Sequence, residues 1–197
     1  MTENTTKKRI LDAMFDLVAQ NGYDKTSISQ IADAIGIKKA SIYYYFKSKE
    51  EIFLCLVSEL YKDEYLENSI LLKKDIDKYT FQAELFGFGD KLIDSYFENP
   101  NMRKIYAEID LQTTRIPALK MITCDTNKRL NQFLANCLKQ GVMIGAFPND
   151  FNVNVNAQIL YTLLIGIDSA ILYDLPINPK IVWHEAISKL FTRKDLQ

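Results

Sequence analysis

Residues 26–51 read Thr26-Ser27-Ile28-Ser29-Gln30-Ile31-Ala32-Asp33-Ala34-Ile35-Gly36-Ile37-Lys38-Lys39-Ala40-Ser41-Ile42-Tyr43-Tyr44-Tyr45-Phe46-Lys47-Ser48-Lys49-Glu50-Glu51. Ser27 followed three residues on by Gln30 is a capping-box pattern. Ile28, Ile31, Ala32 and Ile35 then fall on one stripe of a helix of about two turns, which Gly36 ends. A second short helix runs from Lys38 or Lys39 to Phe46, and a second capping box, Ser48-Lys49-Glu50-Glu51, opens a third. Two short helices about a glycine turn form a helix-turn-helix unit.

The three tyrosines at 43–45 cannot share one buried face, because consecutive helical residues point about 100° apart. If Ile42 and Phe46 face the core, Ala40 and Tyr44 point away, Ser41 lies on an outer shoulder, and Tyr43 and Tyr45 flank the core. Lys38, Lys39, Lys47 and Lys49 rim that small, hydroxylated, aromatic face. Residues 36–49 hold four lysines and no carboxylate. Residues 1–50 carry eight Lys/Arg against six Asp/Glu, whereas the remainder is net −3, so a local basic patch sits on an acidic chain. Lysines for phosphates, with short side chains and a tyrosine for base edges, suit a DNA major groove.

This stretch, from Thr26 through Ile52 behind one preceding helix, resembles the N-terminal DNA-binding domain of the tetracycline-repressor (TetR) family, over about residues 7–55. The resemblance implies that Ser27 and Lys49 hold backbone phosphates from either side of the motif. It further implies that Lys39, Ala40, Ser41 and Tyr44 face the groove and that Tyr43 touches a phosphate. Two positions depart from the family pattern. Lys38 stands where a capping serine is frequent, which removes a cap worth about 1 kcal/mol and leaves a lysine able to reach a phosphate. Ala40 replaces a frequent glycine, so sequence preference does not carry over from relatives.

Composition excludes several classes. Hydrophobic residues make up 48% and charged residues 25%, which fits a globular chain rather than a disordered one. Seven glycines and five prolines are too few for an all-β fold built on many turns. Cys55, Cys124 and Cys137 are odd in number and lack paired spacing, which argues for a reducing compartment and against a disulfide framework or a zinc site. The N-terminus has no apolar signal core, and the run Ile159–Ile167 is too short to span a bilayer, so a cytoplasmic protein is expected, with no membrane partner. His184 is the only histidine, and no phosphate-cradling loop, nucleophile elbow or paired-carboxylate motif appears. Neither an enzyme nor a cofactor or metal site is therefore expected.

Ahead of the motif, Thr5 or Thr6 can cap a helix with Ile10, Leu11, Met14, Phe15 and Val18 on one stripe, stopped at Gly22. Lys7, Lys8 and Arg9 fit either a solvated helix start or a phosphate-contacting arm. Beyond it, helices are expected from Lys49 to about Leu72 through Leu60, Tyr61, Tyr65 and Leu66, then at 80–98, 101–112 and 117–140 with a stop at Gly141. The segment Asn152–Leu175 is apolar nearly all round and needs burial on both sides, one plausible cover being a second copy of the chain. A last helix covers about 180–193.

Phe86, Phe97 and Tyr106, within an aromatic-rich middle region, fit plain core or the lining of a small-molecule cavity. Asp168, in the apolar helix, fits a structural residue that faces a partner hydroxyl or the dimer edge, or the counter-charge of a cationic ligand. The expectation is an all-α homodimer of about nine helices per chain. Residues 1–48 form the helix-turn-helix DNA-binding domain and 49–197 the helical effector-binding and dimerisation domain. As the resemblance implies, it would be a repressor that binds a palindromic double-stranded DNA operator and is released by a small-molecule effector.

Overall fold

In a computed structural model, residues 3–62, 66, 69–99 and 101–192 are described. Among them the regular structure is helical throughout. It comprises α1 (Glu3–Asn21), α2 (Ile28–Ile35), α3 (Lys39–Tyr45), α4 (Lys49–Leu60), a 3-10 turn (Ile70–Leu72), α5 (Lys78–Glu98), α6 (Met102–Thr113), α7 (Pro117–Met143), α8 (Val153–Leu172) and α9 (Pro179–Thr192). Among the described residues the all-α expectation of about nine helices holds.

Helix ends follow local chemistry where the partner is local. Ser27 accepts from the Gln30 amide and Gln30 reaches back to the Ser27 amide, a complete capping box. Gly36 at φ 70° closes α2 in the left-handed region. Ser48 accepts from the Glu51 amide at 3.0 Å, but the Glu51 carboxylate takes the Lys47 amide, one residue earlier than a regular box. Pro179 opens α9 with Asn178 Oδ1 accepting from the Ile181 amide.

Elsewhere the elements differ from expectation. α1 begins at Glu3, so neither Thr5 nor Thr6 is its cap and Lys7–Arg9 lie beyond its first turn. α4 ends at Leu60 rather than near 72, with Tyr61 as its C-cap; Tyr65 lies outside the described residues. α5 starts earlier than 80, because Asp77 accepts from the amides of Tyr79 and Thr80. α7 runs through Gly141 to Met143, and Gly145 at φ 72° follows it. A Cβ at Gly141 would lie 2.6 Å from the Phe147 ring, so that glycine makes room for an aromatic and is no helix stop.

Packing forms two compact units, residues 1–62 with 100–126, and 63–99 with 127–197. In the first, Ile10, Met14 and Val18 of α1, Ile31 of α2, Ile42 of α3 and Ile52, Phe53 and Val57 of α4 share one apolar cluster with Ile105 and Ile109 of α6. Compactness therefore does not divide the chain at 48, since α4, α6 and the start of α7 bury their apolar faces against α1–α3. In the second unit, Phe81, Phe88, Leu134, Leu138, Leu160, Ile167, Trp183 and Ile187 form another cluster. There Trp183 lies over Gly89 and donates from Nε1 to the Phe86 carbonyl at 2.9 Å.

α8 is long and apolar enough to cross a membrane by length and composition alone, its 20 residues exceeding the run 159–167. It buries Ala157, Leu160, Leu164, Ile167, Ala170 and Ile171 on one side, and leaves Val155, Ile159 and Ile165 exposed on another. Ile181 of α9 is 65% exposed.

Candidate functional site

The second helix of the motif is anchored by Ile42 and Phe46, which are 0% and 2% exposed. That fixes the opposite face. Lys38, Lys39, Ala40 and Ser41 are exposed, and Tyr44 is 74% exposed, its ring meeting Tyr45 edge-on at 5.0 Å. Tyr45 is half-buried against the core as expected, whereas Tyr43 is 49% exposed instead of flanking the core. Lys47 is exposed at the same end. Lys38 occupies the N-cap position of α3 without a side-chain cap bond, so the lysine replaces the cap in the structure too.

Ser27 and Lys49 have internal partners. Both donors of Ser27, amide and hydroxyl, point to Gln30 Oε1 at 2.8 Å. Lys49 Nζ donates to the Tyr23 carbonyl at 2.8 Å and to the Asp24 carbonyl at 3.5 Å, and stands 4.1 Å from the centroid of the Tyr23 ring. Partial burial lowers the Lys49 pKa, against the opposing pull of the Asp24 and Glu108 charges. Burial, helped by Glu50 and Asp24, pushes the Tyr23 phenol up to about 12.

Two contacts of α1 were not legible in sequence. Arg9 Nη2 donates to the carbonyl of Ile35, the last residue of α2, where a cation is favoured by the helix dipole. Lys7 Nζ stands 5.5 Å from the Phe46 ring centroid. The Arg9 bond joins residues 26 apart, and no local pattern signals it. Of the basic trio, Lys7 and Arg9 thus brace the motif, and Lys8 is exposed.

The candidate ligand residues are divided between the two units. Tyr106 belongs to the first unit, where its ring stacks on Tyr61 with centroids 6.3 Å apart. Phe86, Phe97 and Asp168 belong to the second. Phe86 packs on His184 at 5.1 Å, and Phe97 is exposed near the end of α5. Asp168 Oδ1 is buried without a hydrogen-bond partner, so the partner hydroxyl expected for it is not found at that atom.

Comparison with known proteins agrees with this geometry. Residues 10–56 match the domain described as "Bacterial regulatory proteins, tetR family". IcaR of Staphylococcus aureus, a negative transcriptional regulator of a biofilm operon, is 36% identical over 77 residues, 39% of this chain and 40% of IcaR. The match therefore spans well under half of that relative. The fatty acid metabolism regulator protein of Bacillus subtilis is 24% identical over 153 residues, covering 78% of this chain and 76% of the relative. The crystal structure of FadR from Bacillus subtilis in complex with stearoyl-CoA superposes with a TM-score of 0.72 at 21% identity, over 94% of this chain and 97% of that one. Residues 10–56 thus carry a domain of the tetR family of bacterial regulatory proteins, and the all-helical fold of the chain is similar to that of FadR.

Proposed function

We propose that the chain is a ligand-responsive transcriptional repressor that binds a palindromic DNA operator as a homodimer. The observation that carries this reading is the outward face of α3: a tyrosine three-quarters exposed beside Ala40 and Ser41, ringed by Lys38, Lys39 and Lys47. A large side chain held in solvent by an anchored helix can reach a base edge, and the lysines supply the phosphate contacts that set register. In this reading Lys38, Lys39 and Tyr43 meet the backbone, as does Ser27 once its hydroxyl turns from Gln30 Oε1, while Ala40, Ser41 and Tyr44 enter the groove. IcaR's description as a negative regulator supports repression over activation.

The remaining functional division follows the sequence reading, with 1–48 contacting DNA and 49–197 carrying effector binding and dimerisation. The exposed apolar stripe of α8, with exposed Ile181 of α9, supports a second copy as partner. Two α3 helices then read half-sites about 34–36 Å apart. FadR's complex with stearoyl-CoA supports a small-molecule effector that binds a form of different spacing and withdraws the protein from DNA by population shift. A cytoplasmic location follows from that role.

Selection of bound duplexes from a random pool tests the reading. It should return a palindrome, and affinity should fall steeply with salt, with a slope of about −0.9 per phosphate neutralised. Tyr44→Ala should cost roughly tenfold or more in affinity for the selected sequence and little on random DNA. Failure to enrich any sequence, or binding indifferent to salt, would indicate a helical interaction protein instead.

A further inference from the structure

We infer that Lys49 is a positioning residue, which clamps the α1–α2 loop onto the start of α4, and does not hold a DNA phosphate. This rests on the DNA-binding reading of the motif and reassigns one of its residues.

An ammonium has three donors. Lys49 Nζ donates to the Tyr23 carbonyl at 2.8 Å, reaches the Asp24 carbonyl at 3.5 Å and stands 4.1 Å from the centroid of the Tyr23 ring, so its position is set by that loop. The ring is itself fixed, since Tyr23 is 8% exposed and packs on Phe53 of α4 with centroids 4.7 Å apart. A phosphate that recruits this ammonium competes with the bond to the Tyr23 carbonyl and the contact with its ring. Lys47, two residues earlier, is exposed and available for that contact.

The position of Lys49 points the same way. A cation in the first turn of α4 opposes the helix dipole, so its presence needs a compensating interaction, which the two carbonyls and the ring provide. The clamped loop also matters for the motif. Thr26, 2% exposed, bonds back to the Gly22 carbonyl, and Ser27 directly after it is the N-cap from which α2 starts. Arg115 holds the same loop from another side, through the Asp24 carboxylate at 3.0 Å. Lys49 thus sets where α2 begins, and through the Gly36 turn where α3 sits.

The test compares Lys49→Met, which keeps the aliphatic stem and removes the ammonium, with Lys39→Met, using an operator duplex from the random-pool selection and a duplex of random sequence. Lys39→Met should flatten the salt slope by about one, the mark of a lost phosphate contact. Lys49→Met should leave the slope unchanged and lower the ratio of operator to random-sequence affinity by about tenfold, because the α3 helix loses its seating and not its charge. In the free protein, amide exchange across residues 22–27 should accelerate in Lys49→Met alone. A slope flattened by about one in Lys49→Met, or unchanged exchange at 22–27, overturns the assignment. If the unaltered chain selects no DNA, the function proposed above fails, and exchange at 22–27 in the free protein alone decides the clamp.

Discussion

Asp168 lies on α8 between Leu164, Ile167 and Ile171, all buried, with its Oδ1 lacking a hydrogen-bond partner. Burial pushes its carboxyl from the ordinary 3.8 to about 6. The folded state therefore favours the neutral acid. The stability this contributes is present below pH 3.8 and is lost as pH rises through about 6. Ionising the group at neutral pH then costs about 3 kcal/mol relative to the unfolded chain. Asp168→Asn, which keeps the shape and removes the charge, should raise stability in urea at pH 7.5 by up to about 3 kcal/mol and change little at pH 4. Equal stability of the two proteins at pH 7.5 would mean that the folded environment compensates the carboxylate. The oddity of an acid in this helix was visible in sequence, but not the partner it lacks, because that depends on which elements pack around it.

Helix ends divide by the distance of the residue that makes them. The caps at Ser27 and Ser48 and the left-handed Gly36 were legible, since each is closed by a neighbour within four residues. Gly141 was misleading for the opposite reason: the residue that needs its missing side chain, Phe147, meets it only after the chain turns at Gly145. Gly89 shows the same dependence over a longer separation. A Cβ there would fall 2.2 Å from the Trp183 indole, whose Nε1 is bonded to the Phe86 carbonyl. Gly89→Ala must therefore displace Trp183 and strain the contact between α5 and α9. The expected cost is roughly 1–3 kcal/mol for overpacking, with more if the indole loses its acceptor. Because Trp183 is the only tryptophan, its fluorescence should report both the shifted midpoint in denaturant and a changed environment in the native state. A second change, Trp183→Phe, should recover part of the loss by relieving the overlap, followed by circular dichroism since the tryptophan is gone; no loss in Gly89→Ala alone would show that the second unit can repack there.

At the scale of the whole chain, the outward face of α3 was derivable because two anchors, Ile42 and Phe46, fix the phase of seven residues. The unit that each aromatic joins was not, since composition identifies aromatics without saying where they pack; Tyr106 entered the first and Phe86 the second. The all-round apolarity of α8 had a different value. Within one chain it remains half covered, with Val155, Ile159 and Ile165 exposed at spacings of four and six residues, and Gly166 beside them with nothing within 4 Å of a built Cβ. Val155, Ile159 and Ile165 lie on one broad side of the helix, and a glycine among them lets another helix approach closely. A dimer through this face predicts that Ile165→Asp, a charge placed where the partner's apolar side chains should lie, converts the protein to monomer in sedimentation at micromolar concentration. The helical content should be unchanged, because Ile165 is exposed in the single chain and its loss leaves the second cluster intact. Operator affinity should fall by at least about a hundredfold, since one half-site then binds without the other's effective concentration. A dimer that survives Ile165→Asp would move the interface off this stripe, and retained operator affinity in a proven monomer would detach DNA recognition from dimerisation.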